Sequence, residues 1–212
     1  MAKSALIFYG GWDGHFPEEM SLRFESSLRE RGHEVTRSDS LSCLDDADSL
    51  KAFDVIVPCW TMGELTGDQE SALCEAVRAG TGFAGAHGGM GDAFRSAMTY
   101  NEMVGGRFVA HPYVGPYTVR VTQPGHPLTH GLAEKFVYDS EQYYLHVDPG
   151  LNVLLSTDYD LGCGTVDMPA AWTRKWGNGR VFYCALGHSP KEYDDHPAVW
   201  DFIVAGVCWA SR

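Results

Sequence analysis

Apolar and polar positions follow two different patterns along this chain, and the change comes near Gly91. Before it, short continuous apolar runs alternate with stretches of helical spacing. Ser4 to Tyr9 reads as a buried strand that Gly10-Gly11 break. Pro17 opens a helix, where its missing N–H is no loss. Met20, Phe24, Leu28 and Arg31 share one face of it, and Gly32 caps its end. Glu34-Val35-Thr36 is a short second strand, and Phe53 to Trp60 a third with Pro58 near its terminus. Thr66-Gly67-Asp68-Gln69 has the form of a capping box. The helix behind it buries Leu73, Ala76 and Val77 and ends at Gly80. Thr81 to Ala86 is a strand of small residues that leads into Gly88-Gly89. Strand–helix alternation with short joints predicts a parallel sheet covered on both faces.

After Gly91, Asp92 to Val104 reads as a helix, and then alternation takes over. Arg107–Val109, Tyr117–Thr122, Lys135–Tyr138, Val153–Leu155 and Ala170–Trp176 have the look of half-buried antiparallel strands. Gly177-Asn178-Gly179 is a hairpin turn into Arg180–Leu186. Asp195 is placed to cap a last helix with Pro197 just inside it, burying Val199, Phe202, Ile203, Gly206 and Val207. No linker, low-complexity tract or repeat interrupts the pattern, so residues 1–212 are expected to form one domain.

Composition narrows the function classes. The 212 residues carry 16 Lys and Arg against 28 Asp and Glu, a net charge of −12. Nucleic acid and anionic lipid would both repel such a chain. No run approaches the apolar length of a membrane span, and the first residues lack the apolar stretch and cleavage site of a signal peptide. The six cysteines form no Cys-x-x-Cys pair and mostly sit in apolar runs, as free thiols of a reducing compartment do. A cytoplasmic protein is expected.

In an open parallel sheet, ligands bind beyond the carboxyl ends of the strands. The first such loop, Gly10 to Phe16, lacks the Gly-x-Gly-x-x-Gly and phosphate-binding patterns, so no nucleotide is expected; it presents Trp12, Asp13 and His15. The second, Gly85-Ala86-His87-Gly88-Gly89, has the frame of a strand-to-helix nucleophile elbow, with His at its centre. Imidazole there can ligate a metal or shuttle protons. The third is Gly187-His188, and the fourth the polar stretch Asp139 to Tyr144, which contains Glu141. If Arg180–Leu186 joins the sheet in parallel, His15, His87 and His188 emerge at one edge. With Glu141 they would make a nitrogen–oxygen site for zinc or another divalent metal. A metal-free acid–base site, and structural histidines in glycine turns, are the competing readings. His111, His126, His130 and His196 read as loop or capping residues. Trp12, Trp60, Tyr113, Tyr143, Tyr144 and Tyr193 cluster near the same loops, and aromatic faces beside carboxylates suit sugars.

Several of these features occur together and in order: Ile7–Gly11, His15, the Gly85–Gly89 elbow, Glu141–Tyr144, Gly179–Tyr183 through Gly187-His188, and the closing His196-Pro197 helix with Cys208-Trp209-Ala210. Together they resemble the trehalose-utilisation (ThuA-like) family of the class I glutamine amidotransferase-like superfamily. The resemblance spans nearly the whole chain. It implies a flavodoxin-like three-layer α/β sandwich, its central sheet mainly parallel with some antiparallel strands in the second half. It also implies catabolism of trehalose or related glucosides, often beside an NAD-dependent oxidoreductase that makes 3-keto sugars. The superfamily's amidotransferases place Cys at the elbow, where this chain has His87, so glutaminase activity is not expected.

Two functions follow from the residues and the resemblance together. In the first, the chain is an enzyme acting on a keto-glycoside, in which His87 or His188 removes the acidified C2 hydrogen. Glu141 and His15 hold a metal or orient the base, and a metal or a tyrosine such as Tyr144 stabilises the enediolate. Trp12, Asp13, Trp60, Tyr143 and Tyr193 would bind the sugar. In the second, it is a non-catalytic sugar-binding partner of the oxidoreductase. A homo-oligomer is compatible with either.

Overall fold

Ala5 and Ile7 point to one side of the first strand and Leu6 and Phe8 to the other, and all four are buried. A strand buried on both faces has to lie between two covering layers. The computed structural model describes residues 2–212 and shows that arrangement. The first half contains β1 (Lys3–Gly11), α1 (Pro17–Glu30), β2 (His33–Ser38), α2 (Ala47–Lys51), β3 (Val55–Thr61), α3 (Gly67–Ala79) and β4 (Gly82–Ala86). Next come α4 (Gly88–Gly91), α5 (Met98–Val104), β5 (Gly106–Val121), β6 (Lys135–Val147), β7 (Asn152–Asp160), β8 (Thr165–Trp176) and β9 (Gly179–Cys184). The chain closes with α6 (Pro190–Asp195) and α7 (Pro197–Ala210).

The nine strands form one sheet in the order β2-β1-β3-β4-β9-β8-β7-β5-β6. The pairs β2–β1, β1–β3, β3–β4 and β4–β9 are parallel. The pairs from β9 to β6 are antiparallel. Helices α1 and α7 cover one face, where Phe24, Leu28, Val199 and Ile203 pack against Ala5, Ile7, Val57 and Ala84. Helices α3 and α5 cover the other, where Leu73, Val77 and Tyr100 pack against Leu6, Phe8, Ile56 and Phe83. Each large apolar side chain fully buried here contributes on the order of 1.5–3 kcal/mol. This is the flavodoxin-like α/β sandwich the sequence leads one to expect. Thr66 and Gln69 cap α3 reciprocally, and Gly80 ends it.

The local differences have physical causes. Asp92–Ala97 is not helical, and only Met98–Val104 is: Asp92 is held by Arg95, and Met62 pairs with Ala93 in an isolated bridge. The short apolar stretches after residue 105 are parts of much longer strands. Two bulges, between Phe108 and Ala110 and between Ala110 and Tyr113, let β5 run through His111-Pro112 without pairing every residue. The polar stretch Asp139–Tyr144 lies inside β6 rather than beyond a strand, and Gln142 donates to Thr157 and to the Asp158 carbonyl. Asp195 ends α6, and His196 takes the cap position of α7, because Pro190 opens an additional short helix. All six cysteines are free. Among the described residues no helix is long and apolar enough to cross a membrane.

Candidate active site

The reversal of strand order at β1 and β3 leaves a crevice at their carboxyl ends, where open α/β sheets bind ligands. His15 follows β1 in a one-turn helix over Asp13–His15 and is buried. Its Nδ1 lies 2.8 Å from Oγ1 of Thr61, the last residue of β3, so the hydrogen bond spans the crevice. His87 stands at the sharp turn between β4 and α4 with φ 46 and ψ −139. That conformation costs a non-glycine residue about 1–3 kcal/mol and persists only where the surroundings impose it. Here the His87 N–H donates to the Cys184 carbonyl (2.7 Å), and its own carbonyl accepts from Gly91 (2.9 Å) and from the Tyr183 hydroxyl (3.2 Å). Gly88 follows because a side chain there would land on the His15 ring.

His188 follows β9, which lies parallel to β4, so all three imidazoles leave the sheet at the same end. Gly187 has φ +101, and a side chain on it would strike the Tyr193 ring. The Tyr193 hydroxyl donates to the Leu186 and Gly187 carbonyls, both at 3.0 Å, and Glu192 accepts the His188 N–H at 2.9 Å. Glu141 comes from the antiparallel half. Its Oε2 lies 3.3 Å from His87 Nε2, and its Oε1 lies 3.4 Å from His188 Nδ1. One ligand atom from each of His15, His87, Glu141 and His188 lies within 4.8 Å of the others.

The hydrogen-bond pattern determines which nitrogen is free. His87 Nδ1 lies 2.8 Å from the Ala185 carbonyl, which can only accept, so Nδ1 carries the hydrogen. Nε2 is the nitrogen that faces the cluster, 3.3 Å from Glu141 Oε2. His87 Nε2 and His188 Nδ1 are both buried without an aligned hydrogen bond among the described residues. Burial, reinforced by the charges of His87 and His188, pushes the His15 pKa down to about 3, so this ring is neutral. Burial would raise the Glu141 carboxyl, but the imidazoles of His188 and His87 outweigh it and hold it well below the usual carboxylate range. The Glu141 carboxylate beside His188 raises that imidazole. Three imidazoles around a carboxylate, with two buried ring nitrogens lacking an aligned hydrogen bond, are a donor set that fits a divalent cation.

The candidate sugar-binding residues divide. Trp12 is 46 % exposed, with its ring 4.8 Å from His15, and Tyr143 stacks on His87 at 4.2 Å. Both border an open cavity of about 90 Å³ on one side of the cluster. Tyr193 is fully buried and borders a narrower, mainly apolar cleft on the other side, where it buttresses the His188 loop. Asp13 is exposed, and Trp60 packs on Phe94; neither borders these cavities. Tyr144 is not with the cluster. Alternation along β6 turns it away from Glu141 and Tyr143, and it packs against Tyr159 and His146.

Sequence reasoning missed His111, whose Nε2 lies 3.6 Å from Glu141 Oε1 at the mouth of the cavity. It also missed Asp92, Arg95 and Phe108 in the cavity wall. The only sequence signal for His111 is Pro112, which interrupts the alternation and lies in the bulge that turns the imidazole inward.

Comparison with known proteins agrees with the fold. The family model for trehalose utilisation, ThuA, matches residues 4–210. A ThuA-like protein of Bacteroides uniformis superposes with a TM-score of 0.77 at 22 % identity, over 97 % of this chain and 89 % of that one. A cytoplasmic protein of Salmonella typhimurium LT2 gives 0.69 at 13 % identity, over 99 % of this chain and 100 % of its own. A β-galactosidase from Bacillus circulans gives 0.55 at 14 % identity, over 98 % of this chain but 31 % of that one. At these identities the likeness concerns the fold alone. The comparison with curated proteins gave no match.

Proposed function

The chain belongs to the trehalose-utilisation (ThuA) family, and on that footing we propose that it is an enzyme of carbohydrate catabolism acting on trehalose-type or 3-keto-glucoside sugars. The observation that carries the proposal is the cluster of buried His15 and His87 with half-buried Glu141 and His188, in which His87 Nε2 and His188 Nδ1 are left without an aligned hydrogen bond. These four residues would hold zinc or another divalent cation. When bound, such a cation polarises a sugar carbonyl and so eases loss of the neighbouring hydrogen. Thr61 orients His15 and the Ala185 carbonyl orients His87, as outer partners of metal-binding histidines do. Trp12 offers an indole face for a sugar ring at the cavity mouth.

A second, metal-free reading has its own support in the Glu141–His188 ion pair. There His87 Nε2 takes the hydrogen from C2 of the keto sugar, and the Glu141 carboxylate stabilises the resulting imidazolium. In both readings the reaction is an elimination or an isomerisation. Glutamine hydrolysis is not part of the proposal, since His87 occupies the position a thiolate would need.

Elemental analysis of the purified protein, combined with turnover of a 3-keto-glucoside, tests this. His15→Ala, His87→Ala and His188→Ala are expected to lower metal content and activity together, without additivity in double variants. The exposed His130→Ala is expected to change neither. Turnover without metal selects the acid–base reading. Saturable sugar binding with neither metal nor turnover overturns the enzyme and leaves a binding partner of the oxidoreductase.

A further inference from the structure

The cavity beside the cluster has a polar wall that the proposed chemistry does not use. Asp92 is buried, with 4 % of its side chain exposed, and Arg95 beside it is 53 % exposed. Arg95 Nε donates to Asp92 Oδ1 at 2.6 Å and Nη2 to Oδ2 at 2.9 Å, so the carboxylate is fully engaged by one edge of the guanidinium. Nη1 makes no hydrogen bond among the described residues. Burying a carboxylate is costly unless it is paired. Here the partner is a group that stands half in solvent at a cavity, so the pair fixes the direction of Arg95 more than it strengthens the core.

The backbone around the pair is pinned as well. Met62 and Phe94 have φ of 62 and 46. The Met62 N–H donates to the Asp92 carbonyl at 2.8 Å, and the Phe94 N–H to the Met62 carbonyl at 3.2 Å. Bulky residues held in this region store about 1–3 kcal/mol each, and such strain gathers at ligand sites. The Arg95 guanidinium lies 5.5 Å from the centre of the Phe108 ring, so a flat donor and a flat apolar face adjoin.

We propose that Arg95, aimed by Asp92, is the specificity residue of the sugar subsite and donates hydrogen bonds to hydroxyl or keto oxygens of an uncharged ring. The inference rests on the carbohydrate function proposed above and adds the substrate's charge class to it. Uncharged follows from the local balance. Asp92 cancels the charge of Arg95, so this pair offers hydrogen-bond donors without the net charge that would favour a carboxylate or phosphate over a hydroxyl. Asp92 is the positioning residue and Arg95 the contact.

The test is calorimetric binding of a methyl 3-keto-glucoside, with glucuronate as the anionic probe, to the intact chain and its variants. Metal content and Tm are measured alongside. Wild type is expected to bind the neutral sugar and not glucuronate. Arg95→Lys is expected to bind it at least about tenfold more weakly, because an ammonium cannot keep the fork on Asp92 and still present a free edge. Its metal content should be unchanged, so that the weaker binding is not loss of the cluster. In a separate turnover assay on the same sugar, Asp92→Asn is expected to raise KM by a larger factor than it lowers kcat, and an unchanged KM overturns its positioning role; should it fail to fold, the half-exposed Arg95 carries the test alone. Equal affinity in wild type and Arg95→Lys overturns this inference and leaves the carbohydrate function standing. Glucuronate binding more tightly than the neutral sugar overturns the charge assignment. Wild type that binds neither sugar overturns both readings.

Discussion

The two halves of the sheet contribute to the cluster by different routes. In the parallel half, β1, β3, β4 and β9 are buried on both faces, so side chains in mid-strand are core. Chemistry can only stand where strands end, and His15, His87 and His188 all do. In the antiparallel half one face of the hairpin is free, so residues in mid-strand can face a ligand. Glu141 and Tyr143 lie inside β6, and His111 lies in a bulge of β5. The parallel half therefore supplies imidazoles on rigid turns, and the antiparallel half lays a carboxylate and aromatic faces over them.

The largest effect should come from the one carboxylate that joins the halves. Glu141→Gln is expected to cut kcat by about 10²–10³-fold, the range of a lost electrostatic stabiliser, with the fold retained. The raised pKa of His188 should fall back at the same time, which an NMR titration of its ring protons would show. Unchanged activity would separate the two halves functionally and leave the imidazoles as the whole site.

The pH dependence of stability should be smaller and belongs to both halves. His15 titrates at about 3 in the fold and near 6.5 when unfolded. Between those values the unfolded chain binds more protons, so stability is lost as pH falls from about 6.5 towards 3. Glu141, held low, loses its contribution in the same direction, below the ordinary carboxylate range. His188, held high, acts oppositely: its contribution is full below the unfolded value and lost as pH rises through its folded one. The urea midpoint is expected to drop between pH 7 and 4, and His15→Gln to flatten the upper part of that drop. A midpoint independent of pH over this range would mean that His15 is not kept neutral.

The smallest effect distinguishes neighbours on one strand. Tyr143→Phe, at the cluster, should lower activity, whereas Tyr144→Phe should leave kcat/KM within about twofold, since surface-type substitutions away from a site are near neutral. Equal losses would mean that β6 is turned otherwise in solution.

Much of this was legible in the sequence because it depends on near neighbours. Periodicity, the Thr66–Gln69 box and the turn glycines define the elements of the first half, and the rule for open parallel sheets puts His15, His87 and His188 at one edge. What local pattern cannot carry is which face of a distant strand meets them. Glu141 reaches the cluster, and Tyr144 does not, because of the register of β6 on β5 and the two bulges in β5. A shift of one residue would reverse both, because side chains alternate with a period of two. The free nitrogen of His87 is likewise a tertiary property, since it depends on the Ala185 carbonyl 98 positions away. The pairing of Asp92 with Arg95 is local, but the cavity it borders exists only once Trp12, Phe108 and His111 arrive from other parts of the chain. The sequence by itself therefore determined the layered fold and the imidazoles at the strand ends. The tertiary structure alone decided the carboxylate, the free nitrogens and the polar wall, because those are relations across the sheet between residues far apart in the chain.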